Sequence, residues 1–283
     1  MKEAEDPKTE YFAQFGEDRI LEGIFRHRSK GVCVEVGAND GILDSMTCRF
    51  ESMGWTCLLV EPIPDLFRKI AENRKCIAKN YAASSVEGEA SFFVAEEAIG
   101  MSALELTRTQ RKSISRAGGT IKEIRVRKKT LDGILEESGV DAIDFISIDV
   151  EGHEMEVLKG FSLEKYRPRI VLIEDNSNQT DPTVQNHMKS KGYELFNRTG
   201  VNDWYAAESD GELVSPKQVE AFLEERAKAY LANKIALHFP VFLPFVPDSI
   251  KALPKKLIRL LSPGLYRIRW RRKEPGPGKG DVR

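Results

Sequence analysis

VCVEVGANDG, residues 32–41, is a run of β-branched and apolar side chains that stops at a glycine and passes into a polar loop closed by a second glycine. A short run of this kind reads as a strand buried on both faces. Four others share its character: TCLLVEP (56–62), KCIAKN (75–80), DFISID (144–149) and RIVLIED (169–175). Segments with helical spacing lie between them, such as PDLFRKIAENR after the second run and GHEMEVLKGF after the fourth. The alternation predicts an α/β fold built on an open, mainly parallel sheet with helices on both faces. In such sheets ligands bind outside the carboxyl ends of the strands.

The loop after the first run narrows the ligand. Gly37 and Gly41 let backbone approach a bound molecule closely. Their spacing is GxxxG, whereas a dinucleotide loop needs GxGxxG and a Walker loop needs GKS or GKT. A nicotinamide oxidoreductase and a P-loop nucleotidase are therefore disfavoured. The loop suits a ligand with an amino-acid end and a ribose. Glu35 precedes it, and Glu61 ends the next run, where a carboxylate accepts hydrogen bonds from both ribose hydroxyls.

Composition limits the rest. A chain of 283 residues builds one sizeable core of roughly 200–250 residues with an appendage at one end. A formal net charge of −1 gives no global attraction to nucleic acid. No apolar run is long enough to span a bilayer, and MKEAEDPKTE lacks the layout of a signal peptide, so a cytoplasmic protein is expected. Cys33, Cys48, Cys57 and Cys76 show no CxxC spacing, which favours free thiols over a disulfide framework or a zinc site.

Between the third and fourth runs lie GEASFFVA (88–95), a basic helical RTQRKSISR (108–116) and the alternating IKEIRVRKK (121–129). They read as a helix and two extra strands leaning on the sheet edge, either as walls of a site or as an elaboration without a role. KGYELFNRTGVNDWYAAE (191–208) reads as a closing hairpin with Thr199-Gly200 near its turn.

The fourth run ends in four ionisable groups within six positions: Asp149, Glu151, His153 and Glu154. His153 follows Gly152 at a helix start, where the positive end of the helix dipole keeps an imidazole neutral and fit to act as a base. Three roles are open to Asp149: orienting that imidazole, touching a cofactor, or binding a metal. Glu151 is unassigned, and Glu154 reads as a helix-start acid. The fifth run ends in Glu174 and Asp175. With Asp149 they form a metal reading, three carboxylates from two strand ends that suit Mg²⁺.

These residues carry a resemblance. GANDG, GW (54–55) with LVEP (59–62), NYA (80–82), Leu131-Asp132 and ISIDVEGHE, in that order, resemble the FkbM-like family of S-adenosylmethionine-dependent methyltransferases, and QFGEDRIL (14–21) is similar to that family's N-terminal motif. The resemblance covers roughly residues 11–207. It implies the class I methyltransferase fold, a Rossmann-like seven-stranded sheet whose last strand is antiparallel, and O-methylation of sugar hydroxyls. Carried over by position, Gly37, Asn39 and Gly41 would lie against the methionine and ribose, with Glu35 beside them and Glu61 on the ribose hydroxyls. Asn80 and Ala82 would border the adenine, and Asn80 equally fits a turn. Gln14 and Asp18 would close the pocket or cap a helix. The paired acids at 174 and 175 also resemble those of macrocin-type sugar O-methyltransferases, which use Mg²⁺.

The expected organisation is an N-terminal helical segment (1–30), a methyltransferase core (31–208), a helical basic appendage (209–273) and a disordered tail (274–283). Residues 249–273 hold nine Lys or Arg and no acid, interleaved with leucine, isoleucine, Tyr266 and Trp270. That pattern suits an anionic membrane surface better than nucleic acid, and it also fits a packing arm or a homodimer contact. The expected activity is O-methylation of a glycan, glycolipid or glycosylated metabolite. Its alternative is a cofactor-binding scaffold at a membrane assembly, without turnover.

Overall fold

The computed structural model describes residues 10–177 and 179–214. In chain order the helices are α1 (Glu17–Phe25), α2 (Cys48–Ser52), α3 (Pro64–Asn73), α4 (Arg108–Arg116), α5 (Leu131–Glu137), α6 (Glu154–Lys159), α7 (Leu163–Tyr166) and α8 (Thr183–Ser190). The strands are β1 (Val32–Val36), β2 (Thr56–Val60), β3 (Ile77–Lys79), β4 (Ala82–Ala83), β5 (Gly88–Ala95), β6 (Ile121–Lys129), β7 (Phe145–Ile148), β8 (Ile170–Glu174), β9 (Tyr193–Thr199) and β10 (Asn202–Ala207).

Seven strands form the main sheet in the order β3-β2-β1-β7-β8-β10-β9. Every pairing is parallel except those of β10, which runs antiparallel to β8 and β9. This is the class I methyltransferase arrangement that the resemblance implied. The strand order reverses beside β1, so the loops after β1 and β7 leave the sheet in opposite directions and open a crevice at its carboxyl edge.

The two-residue period of the strands sorts their side chains into two cores. Val34, Val36, Leu58, Val60, Ile146, Ile148, Val171 and Ile173 face one way and pack on α5, α6 and α8. Cys33, Cys57, Leu59, Phe145, Ile170 and Leu172 face the other way and pack on Leu21 and Phe25 of α1, Phe50 of α2 and Trp55. The Phe50 and Phe145 rings meet edge-on with centroids 4.7 Å apart. Glu35, Ser147 and Glu174 share the parity of this second set, which places polar groups on one face near the strands' carboxyl ends.

Local chemistry fixes the helix starts. Pro64 opens α3 with Asp65 in its first turn. Thr107 and Gln110 close a reciprocal capping box at α4, and the Thr130 hydroxyl accepts the Gly133 N–H at α5. Strands β4, β6 and β5 make a small second sheet packed over the start of α3 through Ile63, Leu66, Phe92, Val94 and Val126.

The structure corrects several expectations. β3 is only half-buried, because it is the edge strand of the main sheet. The stretch 209–214 forms turns rather than the start of a helical appendage, with the Asp210 carboxylate 2.7 Å from Arg169 and Val214 buried. The readings of a membrane-facing segment at 249–273, a dimer contact there and a disordered tail fall outside the described residues. Among the described residues no helix is long and apolar enough to cross a membrane.

Candidate active site

A cavity opens at the carboxyl edge of β1, β2, β7 and β8, and Gln14, Glu35, Gly37, Asn39, Glu61, Ala82, Asp149, Glu151, His153 and Glu174 line it. Its opposite wall comes from the small sheet and the segment after it, through Phe92, Ile99 and Leu104. The long insertion between the third and fourth runs therefore serves the site.

At the β1 end the chain is held open by backbone geometry. Gly37 has φ +89°, and a Cβ there would lie 1.8 Å from the Asp149 carbonyl oxygen. The glycine allows the β1 and β7 tips to touch, which differs from the expected approach to a ligand. Asn39 adopts a left-handed φ of 51° and donates its backbone N–H to the Glu61 carboxylate at 3.0 Å. The other Glu61 oxygen accepts the Ile63 N–H at 2.8 Å. One backbone donor on each oxygen leaves lone pairs on both for a vicinal diol, so this carboxylate fits the ribose of S-adenosylmethionine.

Burial pushes the Glu61 carboxyl up to about 8, against the opposing pull of its two backbone donors. Between the unfolded value of 4.5 and about 8, the folded chain holds a proton that the unfolded chain has released. Stability therefore falls as pH rises through that window, by about 1.4 kcal/mol per pH unit for one such proton. Urea unfolding of the ligand-free protein at pH 5 and pH 8 should show this loss, and Glu61→Gln should make it shallower by one proton's share, with the raised carboxyls of Asp149, Glu151 and Glu174 keeping the remainder. Equal pH slopes for both proteins would refute the assignment.

Three expected cofactor contacts have other work. Glu35 borders the cavity, but its carboxylate is occupied by Ser45 Oγ (2.8 Å), Thr47 Oγ1 (2.6 Å) and the Met46 N–H (2.8 Å), so it braces the turn beyond the loop. Gly41 is absent from the lining. Its φ of +81° serves a turn packed on Arg74 and Ile70, and the Arg74 guanidinium donates to its carbonyl at 2.6 Å. Asn80 is also outside the lining and acts as the turn residue, donating to the Glu61 and Pro62 carbonyls at 2.8 and 3.0 Å. Asp18 caps the chain before α1, accepting the Phe12 and Ala13 N–H groups, while Gln14 reaches the cavity.

At the β7 and β8 ends the carboxylates regroup. Asp149, Glu151 and Glu174 each present an oxygen within 4.8 Å of the other two. Asp175, expected in this set, lies outside it. Its carboxylate accepts Ser177 N–H and Oγ–H and sits 3.0 Å from Arg198 Nη1 of β9. Adjacent residues at a strand end face opposite ways, so Glu174 and Asp175 do not converge. Glu151 takes the place instead, turned back by a left-handed φ of 55°. Its backbone carbonyl accepts a bond from Gln110 of α4 at 3.3 Å, tying the insertion to this loop. Burial, then mutual repulsion, drives the Glu151 and Glu174 carboxyls upward, and burial leads the upward shift of Asp149.

His153 lies in the same cavity, with Nε2 3.1 Å from Ser84 Oγ. Burial is the leading cause that lowers its imidazole below the ordinary value. A helix dipole was the expected cause, but α6 has only six residues, so desolvation is the better reason for a neutral ring. Glu154 accepts the Gly152 N–H at 2.9 Å and stabilises the loop at the start of α6, in keeping with a helix-start acid. Ser84 has no counterpart among the expected site residues: nothing near residue 84 in the sequence marks it as the partner of a histidine 69 residues away.

The family model of the methyltransferase FkbM domain matches residues 35–225. A search of the curated proteins finds no match. Among solved structures, TrmK from M. capricolum, in complex with S-adenosyl-homocysteine, is 10% identical with a TM-score of 0.39, covering 89% of this chain and 96% of that one. Precorrin-6y C5,15-methyltransferase from Geobacter metallireducens is 10% identical with a TM-score of 0.36, covering 71% and 90%. Ribosomal protein L11 methylase from Lactobacillus delbrueckii subsp. bulgaricus is 11% identical with a TM-score of 0.36, covering 71% and 81%. None of these structural likenesses carries a functional argument for this chain.

Proposed function

The chain belongs to the FkbM methyltransferase family, and from that premise we propose that it is an S-adenosylmethionine-dependent O-methyltransferase acting on a sugar hydroxyl of a glycan, glycolipid or glycosylated metabolite. The observation that carries this reading is the shared cavity: a ribose-type carboxylate, Glu61, lines one part, and a neutral His153 lines the same space with three acids. Carboxyl groups crowded at one end of a cavity suit an acceptor rich in hydroxyl donors.

When bound, the cofactor supplies a methyl carbon activated by a positively charged sulfur. Glu61 and the Gly37–Asn39 turn would hold that cofactor, which would give its methyl group to the acceptor oxygen and keep the C–S bonding electrons on sulfur. His153 receives the hydroxyl proton. In the tautomer whose Nε2–H donates to Ser84 Oγ, 3.1 Å away, Nδ1 keeps its lone pair for that proton. Apolar Phe92 of β5 and Ile99 and Leu104 after it wall one side of the cavity and reduce the room for water beside the reacting groups. Residues 249–273, with nine Lys or Arg and no acid, support an acceptor met at an anionic membrane surface from the cytoplasmic side.

The test is methyl transfer by the full chain from isotopically labelled cofactor to a panel of free sugars, glycosides and glycolipids. A gain of one methyl group on a sugar oxygen, located by fragmentation mass spectrometry, is the expected result. Transfer confined to amine or thiol acceptors would defeat the sugar assignment.

A further inference from the structure

We propose that Asp149, Glu151 and Glu174 form a binding site for one hard divalent cation at the acceptor end of the cavity. Oxygens of all three side chains lie within 4.8 Å of one another. Opposite ligands on a cation with metal–oxygen distances of about 2.1–2.4 Å stand about 4.2–4.8 Å apart, so one ion reaches all three with little movement. An all-carboxylate set selects Mg²⁺, Mn²⁺ or Ca²⁺ over softer metals.

A second observation separates this cluster from an ordinary group of acids. Glu174 is only 8% exposed, and among the described residues no N–H or hydroxyl group donates to its Oε2. A buried carboxylate oxygen without a donor is costly, and Glu174 lines the cavity, so a partner for this atom can reach it from there. Without a ligand, Asp149 can satisfy it only by sharing a proton between the two side chains. The charges that act most on the three acids are those of other carboxyl groups. A shared proton joins only two of the acids, whereas a divalent cation meets oxygens of all three side chains at once.

The arrangement also leaves room for catalysis. Three protein oxygens fill half of an octahedral shell and leave the remaining positions for water or acceptor hydroxyls. Because the cluster shares the cavity with His153, a hydroxyl on the ion would be acidified beside the base. This catalytic role rests on the methyl-transfer reading, whereas the binding of the ion does not.

The test uses Mn²⁺ alone with the full chain, without cofactor or acceptor. Titration followed by the loss of the free-ion paramagnetic resonance signal should show one Mn²⁺ per chain, displaced by Mg²⁺ or Ca²⁺. Calorimetry in two buffers of different ionisation enthalpy should show proton release, because the ion replaces protons held by the cluster. Glu151→Gln and Glu174→Gln should each weaken binding at least about tenfold while retaining S-adenosylmethionine affinity, and Asp175→Asn should bind Mn²⁺ as the parent does. Retained cofactor affinity shows that these variants are folded. A free-ion signal unchanged by millimolar protein overturns the site, as does binding that survives in Glu151→Gln but fails in Asp175→Asn. Neither result touches the methyltransferase reading, which the acceptor panel decides separately.

Discussion

Gly37→Ala should lower the melting temperature by about 10 °C or prevent recovery of folded protein. Two costs add. An alanine at φ +89° enters a region that L-residues avoid, at roughly 1–2 kcal/mol. The larger cost is steric: the new methyl would stand 1.8 Å from the Asp149 carbonyl oxygen, which belongs to backbone and cannot rotate away. The residue is held on both sides, the Asp149 N–H donating to the Val36 carbonyl at 3.0 Å and the Val150 N–H, in the same peptide as the Asp149 carbonyl, donating to Glu154 at 3.3 Å, so relief requires parting β1 from β7 at the centre of the sheet. Forced expansion of a packed core typically costs another 1–3 kcal/mol, roughly. A total of about 2–5 kcal/mol corresponds to roughly 10 °C for a domain of this size. Gly54→Ala is the matched control, with φ +86° and nothing within 4 Å of the added carbon. It should lose only the conformational part. Thermal melts by circular dichroism decide the matter, and equal losses in the two variants would show that the Asp149 contact is unimportant.

The same glycine shows where the sequence was legible. The strand, its end and the need for glycine at 37 could all be read locally, because the apolar run and the GxxxG spacing are properties of adjacent residues. The reason for the glycine could not, since its partner is a carbonyl 112 positions away that only the parallel pairing of β1 with β7 brings near. Glu35 follows the same logic. A carboxylate before a cofactor loop looks like a ligand, but the donors that occupy it come from a turn ten to twelve residues on, whose return path no pattern predicts. Asp175 differs, because its position was readable. Glu174 and Asp175 are neighbours at the end of β8 and must diverge, so the two-residue period alone removes Asp175. Glu151 lies beyond the end of β7 and is brought in by its left-handed φ of 55°, which no pattern marks.

His153→Ala should reduce kcat for methyl transfer by about 10²–10⁴-fold, the usual contribution of a positioned general base, while leaving cofactor affinity within about twofold. The residues expected to hold the cofactor, Glu61 and the Gly37–Asn39 turn, reach it from β1 and β2, so their placement does not depend on the imidazole. Ser84→Ala separates position from chemistry. It removes the hydroxyl 3.1 Å from Nε2 and frees the ring to rotate, so a smaller loss, of about tenfold, is expected. The acid side of the pH profile provides the second readout. A base must be unprotonated to act, and burial lowers this imidazole from its ordinary value of 6.5. Activity should therefore rise with pH through an inflection below 6.5 and be fully developed at neutrality. If the loop at the start of α6 were merely structural, His153→Ala would shift cofactor affinity and stability together and leave the profile of the residual activity unchanged. If the imidazole takes the proton, the inflection disappears with the side chain, and residual transfer rises with pH only as the acceptor hydroxyl itself ionises.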